Sequence, residues 1–318
     1  MSLLVDGRRA LFAGLIDGAA MFPPASEDVA DAVAGYRRAR TGAHGWVLGR
    51  FLCPASRLED LAAVLTATMR AGEEPWRIGA VLDGPAGVAA ASAAAFHRHM
   101  DPAATVDAVE LRTPPEAADG RPVEEAFGLL SEPTDAALAV APTVTPYLEI
   151  ARTEGWAAGI PNAVAAIAEL RRRRLRPIGA KLRTGGVEAE AFPCPEQVAR
   201  FIVSCARSGV PFKVTAGLHH PVRHHDSELD VMRHGFLNLL VAAALAADGA
   251  DETEVVVAIA DRDPSAFTVG PGGLRWSGRR LGVPALRRLR GELFPAYGSC
   301  SFDEPVDDLV ALGMLEPS

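Results

Sequence analysis

The chain has 318 residues, 49% of them apolar, with 40 acidic against 32 basic side chains and a net charge of -8. A chain of that size can bury a self-sufficient core, and its acidic balance excludes nucleic acid as the main partner, because neutralising phosphates needs a basic face. With no apolar run of about eighteen residues and no signal-peptide succession at the start, the expectations are no membrane partner and a cytoplasmic protein.

Residues 1–45 read as a helical extension, Val29 to Arg40 most clearly, packed on a barrel that fills residues 46–318 within a single domain. Inside the extension, Leu15 to Pro24 is dense in Gly and Pro and reads as a turn ending a helix. Asp17 would reach a site only if that segment formed a lid. The first strand is expected at Trp46 to Cys53, followed by a helix from Arg57 to Arg70. Arg77 to Asp83 precedes an Ala-rich helix that runs through Met100. Further strands are expected at Val106 to Arg112, Thr145 to Ile150, Ile178 to Arg183 and Pro211 to Gly217. The helices between and after them fall near Val123 to Leu130, Ile160 to Arg174, Pro195 to Ser208 and Leu229 to Ala247. A seventh strand is expected at Ala266 to Val269, with Gly270 to Gly273 turning into Leu274 to Trp276. An eighth is expected at Ala296 to Phe302, before a helix starting at Pro305. Alternating β and α units imply parallel strands with helical crossovers, and eight of them give an α/β fold of the (β/α)8 TIM-barrel type. The competing doubly wound sheet lacks a glycine-rich phosphate fingerprint after its first strand.

Chemistry in such a barrel sits at the C-terminal strand ends, where side chains alternate between the interior and the helix layer. Glu110 and Arg112 share a face, as do Tyr147 and Glu149, and the next two strands place Lys181 and Lys213 the same way. These are the only lysines in a chain with 30 arginines. Arginine stays charged, whereas a desolvated lysine beside another cation can lose its proton and serve as nucleophile or proton shuttle. Lys213 is therefore the expected nucleophile or base, tuned by Lys181, with Glu110 and Glu149 as acid/base or orienting carboxylates. A buried layer of ion pairs with no catalytic task is the alternative.

Five histidines, His219, His220, His224, His225 and His234, fall within sixteen residues after the lysine strand. His219 and His220 are read as substrate contacts. Metal is not favoured. If a divalent ion such as zinc or magnesium were bound, His219, His220, His234 and Glu149 would be its ligands. Arg183, Arg112, Thr215, Gly185, Gly186 and Ser299 are candidates for binding an anionic substrate through guanidinium, hydroxyl and backbone donors. Asn238 is a candidate contact as well. Cys53, Cys194, Cys205 and Cys300 show no CxxC pairing, and Cys53 and Cys300 lie near strand ends. The basic run Arg171 to Arg174 with Arg176 reads as a solvated helix end.

The segments LIDGAAMFPP, KLRTGG, FKVTAGLHHPVR, HGFLNL and YGSCSFDEP resemble those of an uncharacterised bacterial family of (β/α)8-barrel-like proteins, a likeness that spans nearly the whole chain. More locally, Phe212 to Gly217 is similar to the Schiff-base strand of deoxyribose-phosphate aldolases, which place that lysine on the sixth strand of a (β/α)8 barrel. Ala180 to Gly186 resembles their second lysine strand, which ends in a Gly pair. In those aldolases the second lysine follows the first, whereas by this matching Lys181 precedes Lys213. The resemblance implies Schiff-base chemistry at Lys213.

The expectation is a lyase or isomerase that acts on a small carbonyl or carboxylate compound, phosphorylated or not, by Schiff-base or acid/base chemistry. A metal-dependent enzyme of enolase-like or hydrolytic type is one alternative. A non-catalytic ligand-binding barrel is the other. A small molecule is the expected partner, and a homodimer is the alternative to a single chain.

Overall fold

A computed structural model describes residues 6–317. In chain order the strands are β1 (Ile16–Gly18), β2 (Leu48–Pro54), β3 (Trp76–Leu82), β4 (Ala104–Arg112), β5 (Thr145–Glu149), β6 (Gly179–Arg183), β7 (Phe212–Thr215), β8 (His224–Asp226), β9 (Val231–Arg233), β10 (Phe267–Gly270), β11 (Gly273–Trp276), β12 (Arg279–Leu281) and β13 (Tyr297–Ser299). The helices are α1 (Gly7–Phe12), α2 (Val29–Thr41), α3 (Leu58–Thr68), α4 (Ala86–Met100), α5 (Val123–Leu138), α6 (Trp156–Arg174), α7 (Pro195–Ser208), α8 (Phe236–Ala247), α9 (Glu252–Ala260), α10 (Val283–Arg288) and α11 (Asp303–Ala311).

Eight parallel strands close in the order β1, β2, β3, β4, β5, β6, β7, β13, with β13 returning to β1. Helices wrap the outside, which makes the fold an α/β TIM barrel as expected. Two of its strands differ from the sequence reading. The first is β1, inside the stretch read as a helical extension, so the barrel starts at Ile16 and not at Trp46. Three residues are too few to show a period of two, which is why Leu15 to Pro24 read as a turn. The second is Ala266 to Val269, expected as the seventh barrel strand. Most of that segment lies in β10, which pairs antiparallel with β11 outside the barrel, and β11 pairs with β12. The barrel closes without it because β1 fills the eighth place.

The long expected helix from Leu229 is likewise shorter. A β8–β9 hairpin occupies its start, and α8 begins at Phe236. Apolar all round save for Asn238, α8 is buried from Phe236 to Ala246, because it is packed between α7, α9 and the barrel wall. Phe236 stacks on Tyr297 of β13 with ring centroids 5.2 Å apart. The basic run ending α6 is tied down on the surface, with Arg172 and Arg173 on Glu169 and Arg174 on Asp135. Among the described residues, no helix is long and apolar enough to cross a membrane.

Candidate functional site

The alternation along β4, β5, β6 and β7 carries Glu110, Glu149, Lys181 and Lys213 into the barrel interior, and β1 adds Asp17. Together they form one chain of opposite charges. Lys213 Nζ donates to Asp17 Oδ2 and to Glu110 Oε1, both at 2.5 Å. Lys181 Nζ lies 2.7 Å from Glu110 Oε2 and 2.8 Å from Glu149 Oε2. Glu110 thus bridges the two lysines, and Arg112, which shares its face of the strand by alternation, stays exposed at the end of β4. The inner end is anchored by β2, where the Arg50 backbone N–H donates to Asp17 Oδ1 at 2.6 Å. A Cβ at Gly49 would collide with that carboxylate, so the strand can pass only as glycine there.

Side-chain exposure rises steadily along the chain, from 0% at Asp17 and 1% at Lys213 through 2% at Glu110 and 6% at Lys181 to 11% at Glu149. The outer end opens into a cavity of about 710 Å³ at the C-terminal mouth, whose lining includes Glu110, Glu149 and Lys181 but not Lys213. Lys213 lies beneath, against the ring of Tyr147. The structure therefore places Lys181, and not the expected Lys213, where a ligand can meet an amine.

Neither lysine is poised to be neutral. Burial pulls the Lys181 pKa down, but the charges of Glu110 and Glu149 outweigh it and the net shift is upward. For Lys213 burial is likewise outweighed, here by Asp17 and Glu110. Glu110 is pushed up by burial and more strongly down by the two ammonium groups, so it stays ionised far below the usual carboxylate range. The expected mutual depression of the lysines fails because a carboxylate sits between them.

Around the mouth, Arg112 and Arg183 line this cavity and an adjoining one of about 380 Å³. Among the described residues neither guanidinium has a carboxylate within ion-pair distance. Arg152 adds a third, its pKa lowered by burial and by the charge of Arg183. Gly186 borders both cavities and Gly185 the smaller one. Thr215 and Ser299 line the larger cavity, and Phe22, Pro23 and Pro24 close over part of it. The LIDGAAMFPP segment thus supplies both a barrel strand and part of the rim.

Other expected residues go elsewhere. His220 faces Asp308 at 2.6 Å and is not part of the lining. Asn238 is used up by backbone: its Nδ2 donates to Ala258 and Asp261 carbonyls, and its Oδ1 accepts from the Arg223 N–H. His234 is buried, and since Arg223 can only donate to its Nδ1, its Nε2–H must donate to the Pro193 carbonyl at 2.8 Å. Burial, and then the nearby Arg223 charge, lowers its pKa to about 4. His219, His220, His234 and Glu149 therefore do not converge as a ligand set, and among the described residues no group of three His, Cys, Asp or Glu side chains is placed to hold a metal. Cys53 is buried, and desolvation pushes its thiol up to about 12.

His219 does reach the cavity, in a loop whose first residues, Ala216 and Gly217, both have positive φ (67° and 76°). The Thr184 hydroxyl holds that loop by donating to the Ala216 carbonyl at 2.9 Å. Beside His219 stand Cys300 and Glu304. Asp17, Cys300 and Glu304 complete the set that sequence reasoning did not assemble. Cys300 was marked by its place at a strand end, whereas Glu304, on an exposed helix turn, gave no signal. The fold and site define a (β/α)8 barrel with an ionised interior opening at the C-terminal face. The chain matches no family model and no curated protein.

Proposed function

We propose that the protein is an enzyme of the lyase or isomerase type that acts on a small anionic carbonyl compound, with Lys181 as its working lysine. The observation that carries the reading is the gradient of exposure along the ion chain, which brings Lys181 and Glu149 to a cavity rimmed by Arg112 and Arg183. Those guanidinium groups suit a carboxylate or phosphate on the substrate. The resting Lys181 is an ammonium, so its first task is to donate a hydrogen bond or proton to the carbonyl oxygen. Glu149, the most exposed carboxylate of the chain, takes a proton from the adjacent carbon. Glu110, ionised and shared by both lysines, keeps Lys181 charged and in place, and Lys213 with Asp17 holds Glu110.

Schiff-base chemistry is the second reading, and the strand count favours it at Lys181. The sixth barrel strand is β6, which carries Lys181, and Lys213 follows on the seventh. Position in the barrel therefore aligns Lys181 with the Schiff-base lysine of deoxyribose-phosphate aldolases, and the order of the two lysines then agrees with theirs. Proton transfer from Lys181 to Glu149 would free the amine.

A panel of small oxo-carboxylates and their phosphate esters, incubated in D2O and followed by NMR, separates the readings. Acid/base chemistry predicts deuterium uptake next to the carbonyl, reduced by about 10²- to 10⁴-fold in Lys181→Met. Schiff-base chemistry predicts in addition a borohydride-trapped adduct on Lys181. Absence of both exchange and adduct across the panel would sink the proposal.

A further inference from the structure

We propose that Cys300, His219 and Glu304 form a second reactive centre at the barrel mouth, a thiol nucleophile that accepts acyl groups from esters or thioesters. The inference goes beyond the lysine reading and does not depend on it. Cys300 follows β13 directly and lies just ahead of α11, whose N-terminal end carries partial positive charge. Its Sγ is 3.4 Å from His219 Nε2, while His219 Nδ1 is 2.5 Å from Glu304 Oε2. Nucleophile, base and orienting carboxylate thus stand in the relation that activates cysteine in acyl transfer. Both Cys300 and His219 line the 710 Å³ cavity, so an acyl group has somewhere to sit. The contact with Cys300 raises the His219 pKa most; burial opposes it, and Glu304 adds to the rise. An imidazole of that kind readily holds the thiol proton.

The step balances without an added oxidant. The Cys300 proton passes to His219 Nε2, and Glu304 holds the imidazolium at Nδ1. The sulfur attacks the acyl carbon, the carbonyl electron pair moves to oxygen, and its return expels the alkoxide or thiolate. The leaving group takes the proton from His219, and the acyl group remains on Cys300 as a thioester. Water, giving a proton to His219, then attacks that carbonyl and releases the acid, and the proton returns to the thiol. Arg112 and Arg183, lining the same cavity without carboxylate partners among the described residues, suit an acyl group that bears an anion.

The full-length protein carries its own controls. Cys194 is exposed and, among the described residues, has no histidine within hydrogen-bond distance, while Cys53 and Cys205 are buried. With iodoacetamide at about pH 6, a base 3.4 Å from the Cys300 sulfur predicts alkylation about tenfold faster than at Cys194, whose thiol pKa is raised by partial burial and by Glu196. Peptide mapping reads the two rates in one sample. His219→Ala should bring Cys300 down to the Cys194 rate. Glu304→Gln, at a half-exposed helix position where folding is not at stake, should slow it several-fold. With p-nitrophenyl acetate, one acetyl group should map to Cys300 in a burst. Alkylation of Cys300 no faster than Cys194, a rate indifferent to both substitutions, or no acetyl-Cys300 would each overturn the proposal. The readout is thiol chemistry, so its failure is separate from a failure of carbon–hydrogen exchange at Lys181.

Discussion

Lys213 and Lys181 differ in what each would leave behind if removed. Lys213→Met would leave the fully buried Asp17 with only Arg50, whose guanidinium is 3.8 Å away, and take from Glu110 one of its two ammonium partners at the driest end of the chain, and we predict a loss of about 3–5 kcal/mol in urea denaturation. Lys181→Met should cost less, about 1–3 kcal/mol, because Glu110 keeps Lys213 and Glu149 reaches the cavity. Equal losses would show that the gradient of exposure has no energetic meaning. The lysines were legible because arginine serves everywhere else in this chain, and the carboxylates because a strand's period of two puts them on the same face. Asp17 and Glu304 were not, since each meets its partner across the fold, 196 residues away for Lys213 and 85 for His219. Glu110 was legible as a residue but its place between the two ammonium groups was not, which is why the lysines were expected to depress each other's pKa.

At the scale of elements, β1 is short yet closes the barrel, and its position relative to β2 depends on one glycine. The β1–β2 pairing shifts register between Ile16 and Gly18, bringing Asp17 against the Gly49–Arg50 backbone. Gly49→Ala should push the carboxylate away from both the Arg50 N–H and Lys213, costing about 2–4 kcal/mol. Gly128, inside α5 with open space where a Cβ would go, should respond with the opposite sign: Gly128→Ala is expected to stabilise by about 0.5–1 kcal/mol. Thermal unfolding of the two variants beside the parent chain checks the pair, and a stabilising Gly49→Ala would refute the close-packing argument. The long regular strands and helices were readable from periodicity. The Gly270–Gly273 turn was readable too, and in the structure it is the tight connection of an antiparallel hairpin. What sequence could not say is that this hairpin stands outside the barrel, because strand membership is settled by pairing partners and not by local pattern.

For the whole molecule, stability against pH should follow the buried ionisable groups and not the net charge. The lysines have folded-state pKa values above their unfolded ones, so their contribution is complete below about pH 10 and is lost only as pH rises further. Glu110 is depressed, so its contribution is present above about pH 4.5 and fades below it, as the unfolded chain takes up the proton first. His234 acts between these windows. It is neutral in the fold down to about pH 4, whereas the unfolded chain protonates it near pH 6.5, so stability falls by about 3 kcal/mol across that interval. His219 works in the other direction, since its raised pKa favours the folded state once the imidazole is charged. Subtraction isolates the two. Between pH 7 and 5 the parent chain should lose denaturant midpoint more steeply than His234→Gln, and His219→Gln should lose it more steeply than the parent. If all three slopes coincide, the acid sensitivity lies elsewhere, and the buried Arg223–His234–Pro193 arrangement does not tie the loop after β7 to the core in the protonation state inferred for it.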